Sequence, residues 1–340
     1  MKKVLVLSFL SASLFLACNK NDNNTNTPEP TPIVIPEGTV NVKTFDNVKV
    51  AFAEGYSQSA EGTFNFPTEV EHIRSIKMYL KDICPNHDCD EWDRYANIYA
   101  KDKTTGEWYE IARFITPYWV GNELLDRGYE FDVTDFKSLL NGQTDLKIYT
   151  ETWLPKGRTY SLEFDVEYGE PDYKYSAVVP VMQYNQSSQH GVPYGKAHSF
   201  DLTRNITIPS SAEQAYFRTI ITGWGHSVPG YCAEWCFRTH HIHLDGNQSY
   251  EHKLEALGCA DNPINNQSPG NWMPNRAGWC PGMVVPERFD LIDPSRFGTA
   301  FDFEYKFAPY TTTGDAFYAI STFVVVKSNQ PIEKATVIND

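Results

Sequence analysis

Leu162-Glu163-Phe164-Asp165-Val166-Glu167-Tyr168 alternates apolar and acidic side chains without a break. Successive side chains of an extended chain leave opposite faces, so this stretch has one face built for a core and one for water. That is the pattern of a half-buried sheet strand. The same period recurs at Ile76, Met78 and Leu80 and at Ala96, Ile98 and Ala100. From Ile98 to Phe114, two aromatic and β-branched runs flank Thr105-Gly106, which predicts a hairpin. Helical signals are short. Thr134 can cap a turn ending near Asn141-Gly142, and Lys253 to Leu257 reads as another turn or two.

Composition points the same way. The 340 residues include 20 Tyr, 20 Phe and 8 Trp beside 21 Gly and 21 Pro; aromatic residues favour strands, and Gly and Pro mark turns. Gly169-Glu170-Pro171 interrupts the chain after its strongest strand, and a second run of strands begins near Ala177. The resulting reading is all-β, with two domains at residues 39–170 and 171–340, each an antiparallel jelly-roll sandwich. A net charge of −14 argues against nucleic acid as a partner and suits a neutral ligand.

Lys2-Lys3 precedes a run of 14 residues from Val4 to Ala17, too short to cross a bilayer as a helix, so residues 1–17 read as a signal peptide. Phe15-Leu16-Ala17-Cys18 resembles a lipobox with phenylalanine in place of the usual leucine, which predicts acylation of Cys18. Residues 18–38, rich in Asn, Thr and Pro, read as a flexible tether. The protein is thus expected outside the cytosol, lipid-anchored in the cell envelope or released.

Six cysteines remain, an even number in an exported chain, which implies three disulfides. Many pairings are formally possible; short spacing favours Cys84–Cys89 and Cys232–Cys236, leaving Cys259–Cys280. Cys232, Cys236, His240, His241 and His243 also have metal-ligand spacing. Export favours oxidation of those thiols, however, and a strand from Thr239 to Leu244 would put His241 and His243 on one face and His240 on the other. No metal or other cofactor is expected.

Three segments set a carboxylate beside tryptophan: Glu91-Trp92-Asp93, Glu151-Thr152-Trp153 and Glu234-Trp235. An indole covers the apolar C–H face of a sugar ring, while carboxylates accept hydroxyl protons, activate water or stabilise developing positive charge. Alternation puts Tyr149, Glu151 and Trp153 opposite Leu146 and Ile148, and an extended chain from Glu91 to Ile98 would give Glu91 and Asp93 a common face. The first domain offers Asp93 and Glu151, the second Glu234, and a cleft between domains would unite them.

The run Cys89-Asp-Glu-Trp-Asp-Arg-Tyr-Ala-Asn97 resembles the peptide:N-glycosidase F family of amidases. So do Thr104-Thr-Gly-Glu-Trp-Tyr-Glu-Ile111, Phe114-Ile-Thr-Pro-Tyr-Trp-Val-Gly121, Ile148-Tyr-Thr-Glu-Thr-Trp-Leu154, Cys232-Ala-Glu-Trp-Cys-Phe-Arg-Thr-His240 and Arg276-Ala-Gly-Trp-Cys-Pro-Gly-Met283, and the similarity runs from about Thr39 to Ser328. The resemblance implies two eight-stranded antiparallel jelly rolls side by side, the disulfide pairing favoured above and no metal. It also implies hydrolysis of the asparagine side-chain amide of N-glycosylated peptides and glycoproteins, giving aspartate and a glycosylamine.

By the same resemblance Asp93 is the principal catalytic acid, Glu234 the second carboxylate at the reacting linkage and Glu151 a supporting acid that holds the sugar. Trp92, Arg94, Trp153, Trp224, His226, Arg276 and Trp279 fall in segments that line the substrate site. His226-Ser-Val-Pro-Gly-Tyr-Cys232 is several residues shorter than the family loop, which would alter peptide contacts or glycan tolerance. The chain is expected to be monomeric and to touch a membrane only through Cys18. Two other readings use the same residues: an endo-acting glycoside hydrolase on the chitobiose core, and a glycan-binding protein without turnover.

Overall fold

A computed structural model describes residues 37–185, 202–227, 232–307 and 316–339, with backbone alone at 192, 193, 227 and 232. The expected signal peptide, Cys18 and most of the tether lie outside the described residues, as do residues 228–231 of the shortened loop. The first half contains β1 (Thr39–Lys43), β2 (Val48–Val50), β3 (Ser59–Phe66), β4 (Ile73–Ile83), β5 (Tyr95–Lys101), β6 (Trp108–Ile115), β7 (Tyr129–Asp132), β8 (Gly142–Thr150) and β9 (Arg158–Tyr168). The second contains β10 (Tyr175–Tyr184), β11 (Val192–Pro193), β12 (Thr203–Thr207), β13 (Gln214–Trp224), β14 (His226–Ser227), β15 (Cys232–Ala233), β16 (Thr239–Leu244) and β17 (Asn247–Lys253). It continues with β18 (Met283–Val284), β19 (Glu287–Leu291), β20 (Ala300–Phe307), β21 (Phe317–Ser328) and β22 (Thr336–Ile338).

Alternation in sequence becomes alternation in burial. Along β9 every second residue, from Arg158 through Leu162 and Phe164 to Tyr168, is buried, while the intervening Glu163, Asp165 and Glu167 are half-exposed. In the first half β1-β9-β4-β7, with β2 also on β9, form an outer sheet, and β18-β6-β5-β8-β3 form an inner one. In the second half the inner sheet is β10-β21-β13-β19, with β11 also on β21, and the outer is β17-β16-β20-β12-β22. Strands distant in sequence lie side by side, β4 against β9 and β13 against β21, all antiparallel, as jelly-roll winding requires. Each half is thus a jelly-roll sandwich; Phe217, Ile242 and Phe303 belong to a core within the second half, while Met78, Phe164 and Ile98 belong to a core of the first that Val178, Tyr216 and Phe323 of the second also join.

The two inner sheets face each other. Tyr95 and Ile115 of the first half pack there on Ile220, Trp279 and Phe317 of the second. A fully buried ion pair sits beside them: Arg113 meets Glu110 through two hydrogen bonds, Nε to Oε1 at 2.7 Å and Nη2 to Oε2 at 2.8 Å. The same guanidinium donates to the Ala319 carbonyl at 2.8 Å and to Thr222 Oγ1 at 3.1 Å, and Glu110 accepts from Asn97 and from Asn185. From the second half, β18 crosses over to pair with β6 at Met283↔Ile115 and Val284↔Phe114.

The Thr105-Gly106 hairpin forms as expected between β5 and β6, with Gly106 at φ 76°. The helical expectations need correction. Thr134–Phe136 is a single 3₁₀ turn, and the Thr134 hydroxyl accepts from the Ile76 amide at 2.9 Å instead of capping. Lys253 ends β17, opposite Thr239, and residues 254–257 run on without a helical turn. Leu254 is buried there with its amide on the Arg238 carbonyl, so cross-strand pairing and burial outweigh the local helical tendency.

Removing one partner of a buried, fully bonded ion pair strands the other. Arg113→Met should lower the unfolding free energy by about 3–5 kcal/mol in urea titration, and adding Glu110→Gln should restore part of the loss. An unchanged midpoint would contradict the role given to this pair.

Candidate active site

The turn before β5 is built by one buried carboxylate. Asp90 donates its amide to the Gly157 carbonyl at 2.7 Å, and its side chain accepts from the Trp92 amide at 3.0 Å and from Thr152 Oγ1 at 2.5 Å. Arg94 grips it with Nε at 2.7 Å and Nη2 at 3.1 Å. Buried Arg158, paired with Asp82, ties down the carbonyls of Trp92, Pro117 and Val120. Residues 91–94 therefore bend, and the strand starts only at Tyr95. The extended chain from Glu91 expected above does not form; the bend turns Trp92 out to solvent and leaves Asp93 partly buried.

Opposite Asp93, the second half supplies Glu234. Its amide bonds the Gly225 carbonyl at 2.9 Å, and its own carbonyl accepts from Ala277 at 2.8 Å, so the residue is held on both sides. Arg276, buried, joins the two acids: Nε lies 3.2 Å from Glu234 Oε1 and Nη2 lies 3.8 Å from Asp93 Oδ2. The carbonyls of Pro274 and Asn271 accept from the same guanidinium, which lies over the Trp235 ring at 4.5 Å and the Trp279 ring at 5.5 Å. Trp279 is itself fully buried, with Nε1 on the Gly223 carbonyl and its ring 5.0 Å from that of Trp224. It therefore supports the centre from behind.

Sequence reasoning passed over Tyr118. Its hydroxyl lies 3.5 Å from Arg276 Nη2 and interacts with the Asp93 carboxylate. A Cβ on Gly270 would stand 2.3 Å from that of Tyr118, so only glycine lets this ring close on the acid. Asp90 and Arg158 were missed as well, because their partners lie far away in sequence. Tyr118 does fall inside the quoted run Phe114 to Gly121, but nothing in a lone tyrosine marks it.

Burial raises the pKa of both acids. Glu234 is pushed up to about 7 by desolvation and then by the nearby charge of Asp93, with Arg276 opposing. Asp93 is raised by desolvation, against the pull of Arg276, the Tyr118 hydrogen bond and Arg94. Tyr118 is held well above its ordinary value by burial and by Asp93, so its hydroxyl keeps its proton.

The other candidates take distinct positions. Glu151 is buried just beyond β8, its amide on the Tyr95 carbonyl at 2.9 Å, two residues from Asp93. Trp153 is exposed and meets Phe52 edge-on at 5.4 Å. Trp224 is half-buried and His226 exposed, the latter in register with Ala233. The disulfides Cys84–Cys89 and Cys259–Cys280 are present; Cys236 is also disulfide-bonded, and the Cys232 side chain lies outside the described residues. Among the described residues no group of three or more His, Cys, Asp or Glu is arranged to hold a metal ion. His240 points into the core, bonded to the Tyr305 hydroxyl and stacked on Phe307, away from His241 and His243.

A double jelly roll whose halves each send one partly buried acid to a shared guanidinium, with indoles around it, has the make-up of an acid/base hydrolase for carbohydrate-bearing substrates. Comparison with known proteins narrows the class. The families described as "Peptide-N-glycosidase F, N terminal" and "Peptide-N-glycosidase F, C terminal" match residues 73–166 and 193–325, and the chain belongs to the peptide-N-glycosidase F family. It is 64% identical over 311 residues, 89% of its length and 88% of the relative's, to peptide-N(4)-(N-acetyl-beta-D-glucosaminyl)asparagine amidase F of Elizabethkingia miricola. The structure of PNGase F, a glycosylasparaginase from Flavobacterium meningosepticum, matches at 63% identity with a TM-score of 0.87, over 89% of this chain and all of that one. PNGF-II, at 16% identity and TM-score 0.70 over 86% of this chain and 66% of that one, shares the fold.

The raised pKa of Glu234 has a definite sign. The folded protein binds this proton more tightly than the unfolded chain, so its stabilising effect is full below the ordinary value of 4.5 and fades as pH climbs toward about 7. Urea unfolding should show stability falling across that window, with a shallower fall in Glu234→Gln. The same slope in both proteins would refute the assignment.

Proposed function

We propose that this protein hydrolyses the amide joining an N-linked glycan to its asparagine, leaving aspartate in the peptide and releasing a glycosylamine. One observation carries the reading: Asp93 and Glu234, from opposite halves, meet on the buried guanidinium of Arg276. Membership of the peptide-N-glycosidase F family supports the bond and the substrate.

The chemistry follows from these groups. Water must add to the amide carbonyl, the resulting oxyanion needs a positive partner, and the departing nitrogen needs a proton. Glu234, titrating near 7, orients the water and takes its proton. Arg276 offers charge to the oxygen, in a site where burial keeps that charge effective. Asp93, steadied by the Tyr118 hydroxyl, holds the linkage and returns a proton to the nitrogen as the C–N bond breaks. The glycosylamine then loses ammonia in water. Glu151 grips the sugar beside Asp93, and exposed Trp92 and Trp153 cover its C–H faces. Arg94, locked on Asp90, acts by positioning Trp92 and Asp93; His226 and Trp224 contribute at the rim.

In the same reading residues 39–170 and 171–340 are the two domains, supported by a core confined to the second half and by another made mostly of first-half residues. The described disulfides support residence outside the cytosol. Attachment through an acylated Cys18 is supported by the run Phe15-Leu16-Ala17-Cys18, and the protein acts as a monomer.

Mass spectrometry of a denatured glycoprotein treated in 18-O water decides the reaction. The amidase converts the glycosylated Asn to Asp and puts one 18-O atom in the new carboxyl group. An N-acetylglucosamine left on asparagine would instead reveal a glycosidase, and an untouched glycoprotein a binding protein. Asp93→Asn should fold normally and lose about 10³–10⁴-fold in turnover; near-normal activity would remove Asp93 from its role.

A further inference from the structure

One rim of the first sandwich exposes aromatic rings to an unusual degree. Phe52 is 56%, Tyr56 53% and Trp153 47% exposed. Phe52 and Tyr56 line a cavity of about 610 Å³ together with Glu54, Ser57, Gln58 and Tyr149. That volume is in the range of small-ligand sites, about 300–1,000 Å³. Lys49 covers one ring, 5.1 Å from the Tyr56 centroid.

The loop that forms this cavity is fastened to the segment carrying Glu151 and Trp153. The Phe52 amide donates to the Leu154 carbonyl at 3.2 Å, Gln58 Nε2 to the Thr152 carbonyl at 2.7 Å, and the Thr150 amide to the Gln58 carbonyl at 2.9 Å. Thr152 in turn bonds Asp90, the residue that shapes the turn before Asp93. The loop lining the cavity is thus bonded directly to the segment that carries Glu151 and Trp153, and the Phe52 ring meets that of Trp153.

We propose that this groove is an outer glycan subsite, taking neutral sugar residues of an N-linked oligosaccharide beyond those at the reacting linkage. The inference rests on the amidase reading and extends it along the glycan. Phe52 and Tyr56 present flat faces to pyranose C–H groups, while Glu54, Ser57 and Gln58 supply the acceptors and donors that hydroxyls require. A protein with net charge −14 suits an uncharged occupant. The oligosaccharide runs from Asp93 and Glu234, past Glu151 and Trp153, onto Phe52 and Tyr56.

The test compares two glycopeptides of one peptide sequence, one carrying only chitobiose on asparagine and the other a branched oligomannose built on it. In Tyr56→Ala, the ratio of kcat/KM for the long substrate over the short one should fall about 5–10-fold, through KM of the long substrate. Phe52→Ala should shift the ratio the same way. A ratio equal to that of the parent protein in Tyr56→Ala overturns the subsite, while conversion of Asn to Asp by the parent protein leaves the amidase reading standing. Calorimetric titration with a free oligomannose lacking the chitobiose unit keeps the two ideas separate: saturable binding that Tyr56→Ala weakens supports the subsite even if neither glycopeptide is cut. No binding to the parent protein overturns it.

Discussion

The Glu110–Arg113 pair governs how the two sandwiches meet. A carboxylate and a guanidinium stripped of water are tolerated only when nearly every donor and acceptor finds a partner. Here those partners come from both halves: Asn97 from the first, and Asn185, Thr222 and the Ala319 carbonyl from the second. Sliding one inner sheet past the other would strand buried charge. Arg218, reaching across to Asp135 at 2.9 Å, adds a second such lock. Because Asp93 and Glu234 hang from opposite sides of this seam, its register sets their separation.

Within that frame the proposed reacting centre carries two acids and one cation. Burial alone would keep both acids protonated, and Arg276 alone would ionise both; the balance leaves Glu234 near neutrality, able to gain or lose a proton at modest cost. The carbonyls of Asn271 and Pro274 hold the guanidinium in place, so its charge faces the acids without rearrangement.

Much of the fold was legible in the sequence because strand faces differ so sharply, as the unbroken alternation along β9 shows. The failures occurred where distant residues override local pattern. Glu91 to Arg94 looked like the start of a strand, but Asp90 bends them using Thr152 and Gly157, more than sixty positions away. Lys253 to Leu257 looked helical, yet pairing with β16 and burial of Leu254 keep it extended or irregular. At the proposed site, carboxylates beside tryptophan pointed to Asp93 and Glu234, which the fold brings onto one guanidinium. The burial of Trp279 and Arg276 and the closing of Tyr118 over Gly270 depend on packing that no short motif encodes.

The two residues of β18 bear on how such a protein can arise or be dissected. They cap a flank of the first inner sheet with chain from far downstream. A fragment cut after the first sandwich would present β6 with unsatisfied amides and carbonyls, an invitation to self-association. The halves are therefore poor candidates for shuffling as separate cassettes, and a ribosome must release most of the polypeptide before the first sandwich can finish its own sheet.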